Sequence, residues 1–426
     1  MHNLFLYNYG LTPDQIPFAG KKEENTLIET NRKSALPAAN AKPERLSELS
    51  VLRGFAIIGV LSVHATSLAT VNMAQSQLYW VYNFLNIFMK FGTTTFIFLS
   101  SFVLFYNYYN RPVTREVIRS FYRKRLLYII LPYVLFSLFY FAYQHVHYYA
   151  ARSWPDTWHA LVMQLLQGKA YYHLYFIFIN VQFYVLFPFV LLLFQKAKKL
   201  AAWAVPIGFA VEWAFVWFNR LHPLQNKGSW SLSYFSYFML GACIGIYYPK
   251  LKGWLSFRIS RPHPLQIAGW ILLWAVWLAA GLAHVYIWHQ ARLHGTVYAS
   301  LLYELLWNVH TIACTLVLFQ LSSWLYRTRP LLARSFTSLG SVSFGVYLIH
   351  PIVLTIYWNY APQHGGSTMF HALYAGGFLA ALAVSWLIVA SATRFLPFAW
   401  VLFGQAPRRR TALEPEPGSG LYTGTG

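Results

Sequence analysis

The stretch RGFAIIGVLSVH, residues 53–64, decides how the rest of the chain is read. It is an apolar run with an arginine at one end and an imidazole at the other. At 100° per residue, eleven residues make about three full helical turns, so Arg53 and His64 share one helix face about 16 Å apart along the axis. Charged and polar side chains are costly in hydrocarbon, and two of them on one face of an apolar helix point to a partnered or water-lined interior. Two structural readings stand beside a functional one: an arginine at a helix end can snorkel to the interface, and an imidazole can bridge neighbouring helices.

Composition supports reading that run as a membrane span. Of 426 residues, 57% are hydrophobic and 19% aromatic, and only 11% are charged, against roughly 25% in an ordinary soluble protein. The formal charge of +21 would suggest nucleic acid in a soluble chain, but its placement here is that of a topology signal. Cys243 and Cys314 both lie inside apolar runs, without the spacing of a disulfide framework or a zinc site, and no metal is expected. The N-terminus MHNLFLYNYGLTPDQ lacks a basic segment before its short apolar stretch and makes a poor signal peptide.

About 20 mostly apolar residues are needed to cross the hydrocarbon. Ten such runs are predicted, at about 50–69, 91–109, 126–144, 174–195, 201–219, 232–249, 266–285, 303–324, 338–359 and 371–394. They define an all-α, polytopic helical bundle, with a flexible segment over 1–45, one membrane domain over 46–404 and a disordered tail over 405–426. Placing the N-terminus inside puts most of the 33 Lys and Arg residues on inside segments, so both termini are expected in the cytoplasm of a multi-pass protein of the cell membrane. No internal repeat or appended soluble catalytic domain is evident.

Six segments, in order, carry a resemblance: ELSVLRGFAIIGVLSVH, FIFLSSFVLFYNY, RKRLLYIILPYVLFS, HLYFIFINVQFYVLFP, YFMLGACIGIYYP and SVSFGVYLIHPIVL. Together they resemble the membrane-bound acyltransferase type 3 family over about residues 46 to 400. The resemblance implies transfer of an acyl group, most often acetyl, from a cytoplasmic acyl-coenzyme A to hydroxyls of carbohydrates at or beyond the membrane. Acetyl-CoA is then a donor substrate, and no cofactor is held permanently. Three departures stand out. Ser101 replaces the usual glycine of a Ser-Gly pair, which implies a looser helix contact; Tyr128 stands three residues after Arg125 where a second arginine is common; and Tyr175 replaces a frequent tryptophan.

The residues suit that chemistry. An alcohol is a poor nucleophile at neutral pH, and His64 is assigned as general base, with an acyl-histidine relay as the variant mechanism. Arginine binds phosphate through a fixed fork of donors, so Arg123 and Arg125 are assigned to the donor, and Arg53 to the donor or to charge on the thioester. Such loop arginines also serve as topology signals. His350, in the Tyr347-containing motif YLIHP, lies at a depth in span nine similar to that of His64 in span one; together with Glu304 and His173 these two residues are candidate acceptor contacts or supporting groups. Glu304 and Asn308 share a helix face and His310 points elsewhere. Glu304 lies near the outer edge, and Glu212 is a further carboxylate within a span. The expected partners are acyl-CoA, a carbohydrate acceptor and the lipid bilayer, without nucleic acid. The competing functional class is a transporter or flippase for a lipid-linked saccharide; a membrane scaffold leaves the Arg53–His64 face unexplained.

Overall fold

The computed structural model describes residues 46–404, apart from Ser260 and residues 363–365. The expected flexible segments 1–45 and 405–426 lie outside the described residues. In hydrocarbon no water satisfies backbone N–H and C=O groups, so long apolar runs close their hydrogen bonds within themselves. Among the described residues the chain accordingly forms helices and turns, and no strand.

The principal helices are α1 (Glu48–Thr66), α2 (Tyr79–Phe88), α3 (Phe91–Tyr108), α4 (Arg115–Arg125), α5 (Leu131–Tyr148), α6 (Trp154–Gln167), α7 (Tyr175–Lys196), α8 (Ala204–Leu221), α9 (Phe235–Leu255), α10 (Pro264–His294), α11 (Ser300–Thr328), α12 (Pro330–Tyr360) and α13 (Ser367–Phe395). A π-helical turn, Leu126–Ile130, joins α4 to α5. All ten expected spans are therefore helical. Eight helical segments are long and apolar enough to cross a membrane, α2 with α3 and α4 with α5 each counting as one. The other two expected spans, α8 and α9, fall outside that set; Glu212, Asn219 and Arg220 interrupt the first, and Lys250 and Lys252 end the second.

Helix α1 lies at the heart of the bundle, against α2, α3, α11, α12 and α13. Its contact with α12 is set by two small residues: a Cβ on Gly54 would lie 2.7 Å from the Phe336 carbonyl oxygen, and one on Gly340 would overlap the Ser50 carbonyl. Close backbone approach through small residues is how helices associate where lipid is as apolar as the side chains. The α3–α9 pair is built likewise, with Gly241 and Gly245 of α9 pressed against the α3 backbone between Phe98 and Tyr106. The looser contact implied by Ser101 is not observed. Ser101 is fully buried and its hydroxyl donates to the Phe238 carbonyl at 2.5 Å, while Gly241 across the interface supplies the missing room.

Three helices have no counterpart among the expected spans. Helix α2 carries Asn83 and Asn86, which accept from the Arg292 guanidinium at 3.1 and 2.8 Å and donate to the Val285 and Val63 carbonyls. Helix α4 is basic, and its N-terminal N–H groups are capped by Thr114. Helix α6 begins at the Ser153 cap and ends at Gly168 with φ 68°, a left-handed conformation that glycine adopts without steric cost. It exposes Trp154, Trp158, Val162, Met163 and Leu166, the pattern of a helix lying in the membrane interface.

Candidate active site

Packing at Gly54 and Gly340 fixes the register of two helices running the same way. Ten residues further along each, about 15 Å at helical rise, the rings of His64 and His350 stand 5.2 Å apart. His173, at the start of α7, completes a buried cluster: its ring lies 5.6 Å from His350 and 5.1 Å from Tyr347, and the Tyr347 hydroxyl donates to its backbone carbonyl. Tyr172 packs against His64 at 5.0 Å. The His350 Nδ1 lies 2.7 Å from the Tyr347 carbonyl, which can only accept, so Nδ1 holds the proton and Nε2 presents a lone pair. That Nε2, and both ring nitrogens of His173, are buried without a hydrogen-bond partner.

At the Arg53 end of α1 lies a cavity of about 310 Å³. Arg53, Ser100, Arg125, Tyr128, Asn180, Tyr184 and Tyr347 supply its polar edges, and Phe96, Leu99, Ile129 and Phe344 part of its apolar wall. The Arg125 guanidinium lies 5.3 and 5.0 Å from the Phe121 and Tyr184 ring centres, while its Nε is buried without a partner. Asn180 holds itself through Nδ2 to the Phe176 carbonyl and leaves Oδ1 unpaired. Stacked guanidinium, free amide oxygen and hydroxyls in an otherwise apolar cleft suit a ligand with phosphates at one end and an amide-bearing arm.

Toward the other end of α1, His64 lines a cavity of about 270 Å³ with Val60, Lys90, Thr93, Tyr175, Tyr234 and Trp307. This cavity shares no lining residue with the Arg53 cavity. From the first to the second runs a file of rings: Tyr347 lines the Arg53 cavity and lies 5.8 Å from His350, which in turn adjoins His64. A neighbouring cavity of about 280 Å³ contains Glu304, whose carboxylate accepts from Lys227 at 2.5 Å.

The structure thus brings Arg53 and Arg125 to one cavity, and His64, His350, His173 and Tyr347 to one cluster. Arg123 is exposed and does not line the Arg53 cavity. Tyr128, at the position of the missing second arginine, does line it. Glu304 stands apart from His64, in the adjoining cavity. Glu212 is a structural node: it accepts from Asn308 Nδ2 at 2.5 Å and from the Ser236 backbone N–H at 2.8 Å, tying α8, α9 and α11 together. His310 packs on Phe88 and lines none of these cavities. Sequence reading passed over Asn180, Tyr184, Lys90, Tyr234 and Trp307. Asn180 and Tyr184 had a signal, as polar groups four apart on one face of an apolar run.

A membrane helical bundle with an arginine-lined and a histidine-lined cavity along one helix defines a class of integral membrane protein. The model of the type 3 acyltransferase domain matches residues 46–390, and the chain belongs to that family. It is therefore a membrane acyltransferase by family. Among curated relatives, the probable poly-beta-1,6-N-acetyl-D-glucosamine export protein of Staphylococcus epidermidis is 25% identical over 337 residues, covering 74% of this chain and 82% of the relative. The protein of the same name from its strain RP62A matches with the same figures. No solved structure matches the chain.

Proposed function

We propose that this protein transfers an acyl group, acetyl by the family resemblance, from acyl-coenzyme A to a hydroxyl of a cell-surface or exported carbohydrate. The relative's name makes a poly-N-acetylglucosamine-type glycan the first acceptor to test. The observation that carries the reading is the run of α1 from the Arg53 cavity to the His64 cavity, with the His64–His350 pair at the far end. The Lys and Arg distribution supports an arrangement with both termini in the cytoplasm of a cell-membrane protein, so that the Arg53 cavity faces the cytoplasmic donor and His64 the exported acceptor.

In this reading Arg53 and Arg125 hold the donor phosphates, and the thioester arm reaches along the cavity and past Tyr347 to the His64 ring. The acceptor hydroxyl gives its proton to the His64 imidazole as its oxygen attacks the thioester carbonyl carbon. Collapse of the tetrahedral intermediate expels the coenzyme thiolate, which takes that proton back and leaves as the thiol. His350, with its proton fixed on Nδ1, supports His64 by packing beside it.

The test is transfer of label from acetyl-coenzyme A, supplied on the cytoplasmic side, to surface carbohydrate in cells carrying the wild type, His64→Ala or Arg53→Ala at matched membrane levels. Label that depends on the wild type and is lost in both variants is expected. Wild-type labelling that persists in His64→Ala removes the base assignment. A second reading rests on the relative's name, which is that of an export protein. Glycan export that depends on the wild type while no acyl label is transferred would establish that reading instead.

A further inference from the structure

The cavity beside His64 adjoins another that carries more binding chemistry than a single reacting hydroxyl uses. Lys90, Tyr234 and Trp307 line both compartments, which adjoin at these three side chains. The far compartment contains Trp288, Tyr303 and the Lys227–Glu304 ion pair, none of which lines the compartment of His64. The Trp288 and Tyr303 rings stand edge to face with centres 5.2 Å apart. Lys90, shared by the two compartments, holds its ammonium 4.9 Å from the Trp288 ring centre.

Two buried polar atoms there have no hydrogen-bond partner, the Tyr303 hydroxyl and His284 Nδ1. Trp288 Nε1 lies 3.0 Å from His284 Nε2 and can only donate, so the histidine proton sits on Nδ1 as an unused donor. Buried polar groups are ordinarily paired, and an unpaired set just behind a cavity lining is open to a ligand that displaces the side chains covering it. Aromatic faces beside a carboxylate, an ammonium, a hydroxyl and an imidazole N–H complement a pyranose ring, whose faces carry C–H groups and whose rim carries hydroxyls.

Resting on the acyl-transfer reading, we propose that the far compartment is a second acceptor subsite. The acceptor is then a chain of at least two linked sugar units: the unit beside His64 receives the acyl group, and the next lies among Trp288, Tyr303 and Glu304. Neither a lone monosaccharide nor a small alcohol would use these groups.

The test follows acyl transfer by the purified full-length protein in lipid nanodiscs, with acetyl-coenzyme A and acceptors of one to four linked N-acetylglucosamine units, and with the matching glucose series. In the wild type, kcat/KM should rise about tenfold from one unit to two, the worth of one good aromatic and hydrogen-bonded contact, and change little beyond. In Trp288→Ala and in Glu304→Gln the ratio of two-unit to one-unit acceptor should fall toward one, the one-unit rate in the same preparation serving as its reference. Gel-filtration behaviour and acetyl-coenzyme A binding identify a variant that has failed to fold, and Tyr303→Phe, which removes only the hydroxyl, should lower the ratio partway. A wild-type rate independent of length, or variants that keep the full rise, overturns the second subsite and leaves the transferase reading standing. Donor turnover absent with every acceptor removes both.

Discussion

Arg125 and Arg123 are two residues apart and differ entirely in surroundings. The first is stacked on Tyr184 inside a cavity, and the second lies exposed on the same basic helix end. If that cavity holds the donor, Arg125→Met should raise the KM for acetyl-coenzyme A by about tenfold to a hundredfold, the worth of a charge-assisted hydrogen bond. Arg123→Met should shift it far less, and steady-state kinetics with varied donor separates the two; equal effects would contradict the assignment. At His64 the expected loss is in turnover: His64→Ala should lower transfer at least a hundredfold, the low end of what a positioned acid–base group contributes. The cluster around His64 was legible in part, because a histidine inside an apolar run is unusual in any helix. Lys90 was not, since a lysine at a span edge reads as an interfacial anchor until folding shows it lining two cavities.

Helices α1 and α12 carry the register on which that cluster depends. The missing Cβ of Gly340 lets α12 lie directly on the α1 backbone at Ser50. Gly340→Leu should therefore push the helices apart, costing about 1–3 kcal/mol or more and separating His350 from His64. The expected outcome is earlier thermal unfolding in detergent together with loss of transfer, and wild-type unfolding with full transfer would contradict it. Most of the long helices could be read from apolar runs alone, because a span has no alternative backbone pairing in lipid. The three that could not, α2, α4 and α6, are amphipathic or basic, and their helicity comes from caps and neighbours rather than continuous apolarity. In α2, Asn83 and Asn86 dilute the run, yet they are the groups that bind Arg292 and the carbonyls of α1 and α10. Sequence alone leaves Glu212 open, because a carboxylate in a span is a functional candidate and equally a structural one; here it joins three helices.

At the scale of the whole molecule, the cavities are assembled from residues far apart in the chain. The Arg53 cavity draws on α1, α3, the end of α4 and the turn after it, α7, α12 and the short helix Ala399–Phe403. No stretch of sequence contains such a wall, which is why its single members were recognisable while the enclosure was not. Between this cavity and the one beside His64 stand the packed rings of Tyr347, Phe176, His350 and His173, with Phe176 and Tyr347 edge to face at 5.2 Å. That packing is a seal. In the proposed direct attack the slender thioester arm slips between these rings to meet the hydroxyl at His64, which needs no opening wide enough for water and so leaves a proton gradient intact. Liposomes containing the protein should hold an imposed pH difference as long as empty ones do, with donor and acceptor present, as followed by an entrapped pH-sensitive dye. Rapid collapse on adding substrates would mean that the chain works as a gated pore. If the proposed transfer crosses such a seal, the reaction is electrically silent, an insulated handover.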